Sequence, residues 1–120
     1  MQKMIVKKPW GTYEVLLDEP NYKVKRIVVH PYERFSLQYH KHREEHWVIV
    51  EGDGIVQVKR KEYPAIIRSH WVILPTEMHR ATAGPNGLVI IENQIGDFRE
   101  EDIVRLEDDY GRLDSSEVSV

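Results

Sequence analysis

The chain contains no cysteine. Disulfides, thiolate metal sites and a cysteine nucleophile are therefore excluded, which is compatible with the cytoplasmic location expected of this chain. Long apolar runs are missing too. The longest, such as Trp47–Val50 and Leu88–Ile91, fall far short of the about 20 apolar residues a membrane span requires. The opening residues Met1–Pro9 hold no apolar stretch of signal-peptide length, so neither a leader nor a membrane is expected. Nor is there an excess of positive charge. With 17 Lys and Arg against 20 Asp and Glu the net charge is -3, which gives nucleic acid no basic field to bind. No segment before Phe98 carries a helical period.

What is present is a series of short β-rich runs separated by turn residues. Strands are expected over Thr12–Leu17, Tyr22–His30, Phe35–His42, Glu45–Val50, Ile55–Lys61, Tyr63–Arg68, Trp71–Leu74, Met78–Ala83 and Leu88–Ile95. Tight turns are expected at Glu51–Gly54 and Gly84–Gly87, because glycine, aspartate and asparagine tolerate positive φ. Arg99–Leu106 reads as a short helix or 3₁₀ turn, and the tail 113–120 as frayed. The 120 residues fit one domain with its core over 8–112. So many short strands imply an all-β closed or nearly closed antiparallel barrel or jelly roll.

The chemically informative stretch is Leu37–Trp47. Strand side chains alternate between faces, so Gln38, His40 and His42 share one face of a regular strand. Two imidazoles so spaced can lean onto one ion. Glu45 or His46 supplies the third ligand after a bend, and the distant His79 closes the site. Gln38 offers its side-chain oxygen as a further ligand. One divalent metal is expected, zinc first, with manganese, cobalt, nickel and iron as the other candidates for such donors. Calcium would want mostly oxygen ligands. A lone histidine among charged residues is more often a solvated one; the grouping is what favours ligation here. His30 and His70 have no such company.

At this point the chain resembles the cupin superfamily, whose first motif places HxH, a glutamate, six residues and a glycine. Here these are His40-Lys41-His42, Glu45 and Gly52, with a gap of two residues before the glutamate. The second motif is shortened to Pro75–His79 and lacks its glycine. A narrower similarity covers residues 8–112. Lys8–Glu14, Tyr22–Val29, Ser36–Arg43, Glu45–Trp47 and Asp102–Arg112 resemble the phosphomannose isomerase domain at the C-terminus of type II bifunctional mannose-1-phosphate guanylyltransferases. Tyr32 stands where that family usually has glycine.

The resemblance implies a cupin (RmlC-like) double-stranded β-helix, or jelly-roll barrel. It also implies a metal-dependent mannose-6-phosphate isomerase interconverting mannose 6-phosphate and fructose 6-phosphate. The nucleotidyltransferase half, with its Gly-rich phosphate loop, is not in this sequence. Aldose–ketose isomerisation needs a base, a stabiliser for the developing oxyanion and a hold on the phosphate. Glu44 and His46 are the titratable neighbours of the cluster, with Glu44 taken as the base. Arg105 and Arg112 lie in the family-like C-terminal stretch and are taken as catalytic and phosphate-binding, while Arg80 and Arg34 flank the cluster as further anion binders. The competing readings are a non-catalytic sugar- or nucleotide-sugar-binding module and an iron dioxygenase. A homodimer is expected through the strand Thr12–Leu17 lent to a partner sheet.

Overall fold

The computed structural model describes residues 4–96 and 102–113. Among the described residues nine strands form one curled sheet: β1 (Ile5–Lys8), β2 (Gly11–Asp18), β3 (Tyr22–Val29), β4 (Leu37–His40), β5 (Arg43–Val58), β6 (Lys61–Ala65), β7 (His70–Ile73), β8 (His79–Gly96) and β9 (Ile103–Glu107). The order is β1-β2-β3-β8-β4-β9, and β5 pairs with β8, β6 and β7. The all-β jelly-roll expectation is therefore met. Among the described residues no helix is long and apolar enough to cross a membrane.

The two turns expected at Glu51–Gly54 and Gly84–Gly87 are not turns. Both segments run inside the long strands β5 and β8, and they face each other, with Gly54 opposite Ala83 and Gly52 opposite Leu88. The register slips between Ile49 and Glu51 and again between Gly52 and Gly54. Glycine's freedom is thus spent on bulges that bend a continuous ladder rather than on reversing it. Gly52 has φ 84°, and a Cβ there would sit 2.0 Å from the carbonyl oxygen of Gly87. The reversal comes later, through the two residues Lys59 and Arg60, with Lys59 at φ 58°. That turn cuts the strand expected over Ile55–Lys61, and the next one stops at Ala65 instead of Arg68.

Asp102–Leu106, expected to be helical, instead enters β9 at Ile103 and pairs with β4, so tertiary pairing overrides a weak local preference. Arg99–Glu101 and the tail beyond Leu113 lie outside the described residues. Thr12–Glu14, the first half of the strand Thr12–Leu17 expected to be lent to a partner, is paired on both edges by β1 and β3; β1 forms that edge of the sheet.

The inner faces of β3, β5, β7 and β8 supply Ile27, Val29, Trp47, Ile49, Val56, Ile73, Leu88 and Ile90 to one buried cluster. Each such side chain contributes roughly 1.5–3 kcal/mol on burial. Trp10, Phe35, Trp47 and His79 form a chain of edge-to-face rings with centroids 5.4, 5.7 and 5.4 Å apart. The apolar core thus runs directly into the histidine site.

Candidate metal centre and the cavity beside it

Strand β4 stops at His40 because the backbone beyond it is capped by a side chain. The Asp102 carboxylate accepts the N–H of Lys41 at 3.0 Å and that of His42 at 2.9 Å. The chain turns there and β5 begins at Arg43. His40 is consequently buried while His42 is exposed. The shared face expected for these two residues required an unbroken strand, and the strand ends between them.

Along β5, Arg43, Glu45 and Trp47 are buried, alternating with the more exposed Glu44, His46 and Val48. Glu45 lies between the two buried imidazoles. Its Oε2 is 3.2 Å from His40 Nδ1 and its Oε1 is 3.5 Å from His79 Nε2. One ligand atom from each of the three residues lies within 4.8 Å of the others. His79 opens β8, and its Nδ1 is 2.9 Å from the Glu77 carbonyl oxygen. A ring N–H donated to that carbonyl leaves Nε2 with a lone pair toward Glu45, the arrangement that metal-bound histidines use.

These donors fit a transition metal. His40 Nδ1 and His79 Nε2 are buried nitrogens with no hydrogen-bond partner. Two imidazole nitrogens and a carboxylate suit zinc and the neighbouring first-row ions. Burial, partly offset by Glu45, lowers the pKa of His40 to about 2 and also lowers that of His79, so both rings are neutral at pH 7. Burial opposes the Glu45 charge, but the positive charge that His79 and His40 carry when protonated, and that Arg43 carries throughout, holds the carboxyl below its ordinary range.

Arg43, Glu92, Gln94 and Lys25 are buried polar residues around the cluster that the sequence had not singled out. Arg43 Nε donates to Glu45 Oε2 at 2.9 Å, and its Nη2 is 2.5 Å from His40 Nε2. Trp47 Nε1 donates to both Glu45 Oε1 and Glu92 Oε2, each at 3.1 Å. Gln94 Nε2 donates to Glu92 Oε1 at 2.6 Å. Burial, reinforced by the Glu45 charge, raises the pKa of Glu92 to about 8. Parity carried the missing signal. Arg43 falls in step with Trp47, Lys25 with Ile27 and Val29, and Glu92 and Gln94 with Leu88 and Ile90, all inward positions. Lys25, Gln38, Arg43, Glu92 and Gln94 line a cavity of about 40 Å³, walled on its apolar side by Trp10 and Phe35.

The remaining expected site residues distribute unevenly. Gln38 is buried and lines the cavity, but its Oε1 accepts the Ser36 hydroxyl at 2.6 Å. Arg105 pairs with Gln38 in register, and Gln38 with His79, so the three form one row across β9, β4 and β8. Glu44 lies on the opposite side of β5 from Glu45 and engages His46 at 2.5 Å; neither belongs to the cluster. Arg80 is held by the Phe35 carbonyl at 2.9 Å and by Glu107 at 3.1 Å. Arg112 is bidentate on Asp108, both bonds at 2.9 Å, and Arg34 is paired with Asp109. Strand parity thus places Glu44, and the end of β4 places His42, outside the His40–Glu45–His79 set, while Arg80 and Arg112 each have an acidic partner.

Residues 1–108 match the family described as "Mannose-6-phosphate isomerase C-terminal". The chain is 37% identical over 108 residues to a mannose-1-phosphate guanylyltransferase of Klebsiella pneumoniae and 41% identical over 109 residues to the alginate biosynthesis protein AlgA of Pseudomonas aeruginosa. These alignments cover 88% and 89% of this chain but 23% of either relative, so the chain spans about a quarter of their length. Among solved structures, an RmlC-like cupin from Shewanella frigidimarina superposes with TM-score 0.74 at 18% identity, covering 82% of this chain and 87% of that one. The capsular polysaccharide assembling protein CapF of Staphylococcus aureus gives TM-score 0.79 at 17% identity, over 89% of this chain and 32% of that one. These two likenesses establish the fold.

Proposed function

The chain belongs to the mannose-6-phosphate isomerase C-terminal family, and from that premise we propose that it is a metal-dependent isomerase interconverting mannose 6-phosphate and fructose 6-phosphate. The observation that carries this reading is the buried His40–Glu45–His79 set, whose Glu45 is hydrogen-bonded by Arg43 and Trp47 from the wall of a partly polar cavity.

His40, Glu45 and His79 would hold the metal, with Gln38 close by. A bound divalent ion polarises the carbonyl and hydroxyl oxygens of the sugar and stabilises enediolate charge. The chain's own groups do the rest. Moving a proton between adjacent carbons requires an acid–base group facing the substrate. Glu92 is the carboxyl in the cavity wall and takes the role expected of Glu44, which lies on the other side of β5. Arg105 stands two strands from His79, about 10 Å at ordinary strand spacing. That distance suits a guanidinium holding the phosphate of a six-carbon sugar whose other end is at the metal. The reading also keeps a homodimer, now with β1 as the edge available to a partner sheet.

A second reading is favoured by Arg43. Its guanidinium already neutralises Glu45 and contacts His40, an arrangement suited to a non-catalytic sugar-binding module. One assay separates the two. Metal-stripped protein is resupplied with zinc, manganese, cobalt or nickel and tested on mannose 6-phosphate. Turnover restored by metal and abolished in His40→Ala supports the isomerase. Tight metal binding with no turnover rejects it and leaves the binding module.

A further inference from the structure

A second recess, of about 890 Å³, lies between the β5–β6 turn, β7 and the loop preceding β8. Its rim carries three consecutive cations, Lys59, Arg60 and Lys61, and its wall holds Tyr63 and Trp71, whose ring centroids are 6.2 Å apart. One acid, Glu77, lines it and binds Lys59 at 3.0 Å. Arg60 and Lys61 are exposed, and among the described residues neither is engaged in an ion pair. Strand alternation puts Lys61 and Tyr63 on one face of β6 and Glu62 on the other, and Glu62 does not line the recess. The recess is therefore cationic at its mouth and aromatic inside.

Cations alone would accept any anion. An exposed aromatic ring beside them selects an anion that carries a planar ring, because a base stacks on tyrosine or tryptophan irrespective of its hydrogen-bonding edge. A sugar phosphate has no such face, and the volume falls within the range of pockets that take ligands larger than a hexose phosphate. We infer that this recess binds a nucleoside phosphate, with the phosphates on Arg60 and Lys61 and the base against Tyr63 and Trp71. The site is distinct from the His40–Glu45–His79 cluster and does not depend on the isomerase reading.

The test is calorimetric titration of the full chain with GTP, ATP and inorganic pyrophosphate at low ionic strength. The nucleotides are expected to bind more tightly than pyrophosphate. Arg60→Gln combined with Lys61→Gln should weaken them about tenfold or more, the loss expected for two charge-assisted contacts. Tyr63→Ala should weaken them about fivefold or more while leaving pyrophosphate unchanged. His40→Ala should leave nucleotide binding intact. All the exposed substitutions should melt with the parent. The inference is overturned by no nucleotide binding at millimolar concentration. Pyrophosphate binding as tight as nucleotide and indifferent to Tyr63 overturns it as well. So does binding lost in His40→Ala but kept in the Arg60/Lys61 variant, which would place the triphosphate at the metal cluster.

Discussion

Arg43 donates from Nε to Glu45 Oε2 at 2.9 Å, with both side chains buried. Arg43 is the cation that neutralises the central carboxylate of the candidate metal centre, and it also touches His40 Nε2. A metal on His40 Nδ1 requires the proton on Nε2, which then cannot accept from Arg43. Metal and guanidinium therefore compete for the same two residues.

Arg43→Ala should destabilise the metal-stripped protein by about 3–5 kcal/mol, the cost of leaving one member of a buried ion pair uncompensated. Zinc should then raise the melting temperature of the variant by more than that of the parent. Equal shifts in both proteins would show that Arg43 and the metal do not share Glu45.

Removing either histidine of the cluster should abolish tight metal binding, while removing the exposed histidine should not. His40→Ala and His79→Ala are expected to lose at least about 100-fold in zinc affinity, and His42→Ala no more than a few-fold. The check is competition against a chromophoric chelator. The residue types and the pair His40 and His79 were legible in the sequence. The end of β4 was not, because it is made by Asp102, some sixty residues away in the chain.

The strands themselves were legible from their alternation, yet the two glycine-rich segments misled. A glycine at positive φ serves a turn or a bulge equally well, and only the partner strand decides which. Gly52 faces Gly87 across the bend, so Gly52→Ala meets both an unfavourable φ and a backbone carbonyl. It should cost at least about 2 kcal/mol in denaturant unfolding, from the left-handed strain and the overlap together. In a simple exposed turn the overlap would be absent and the cost nearer to about 1 kcal/mol.

Tyr110 ties the C-terminal segment to the barrel by donating its hydroxyl to Glu33 at 2.7 Å. Burial, aided by that bond, raises its pKa to about 12. A group whose folded pKa is raised contributes stability fully present below its unfolded value of about 10 and lost as pH climbs toward 12. In an ultraviolet titration Tyr110 should therefore ionise above the ordinary tyrosine range. Tyr110→Phe should delete that late step and flatten the alkaline loss of stability. A variant whose titration keeps the late step would assign it to another tyrosine.

Tyr32 is 73% exposed and adopts φ 62°, with its N–H on the Gly84 carbonyl at 3.2 Å. The backbone here favours glycine, and the exposed side chain gains little packing in return. A left-handed conformation costs a non-glycine residue about 1–2 kcal/mol. Glycine's greater freedom in the unfolded chain recovers about 0.4–1 kcal/mol of that. Tyr32→Gly should thus stabilise the protein by about 0.5–1 kcal/mol, a rise of a few degrees in melting temperature. Tyr32→Ala is the control, since it removes the ring but keeps the strained φ. If alanine stabilises as much as glycine, the cost lies in the exposed ring and not in the backbone; if only glycine does, the turn before Phe35 carries strain that this sequence has kept.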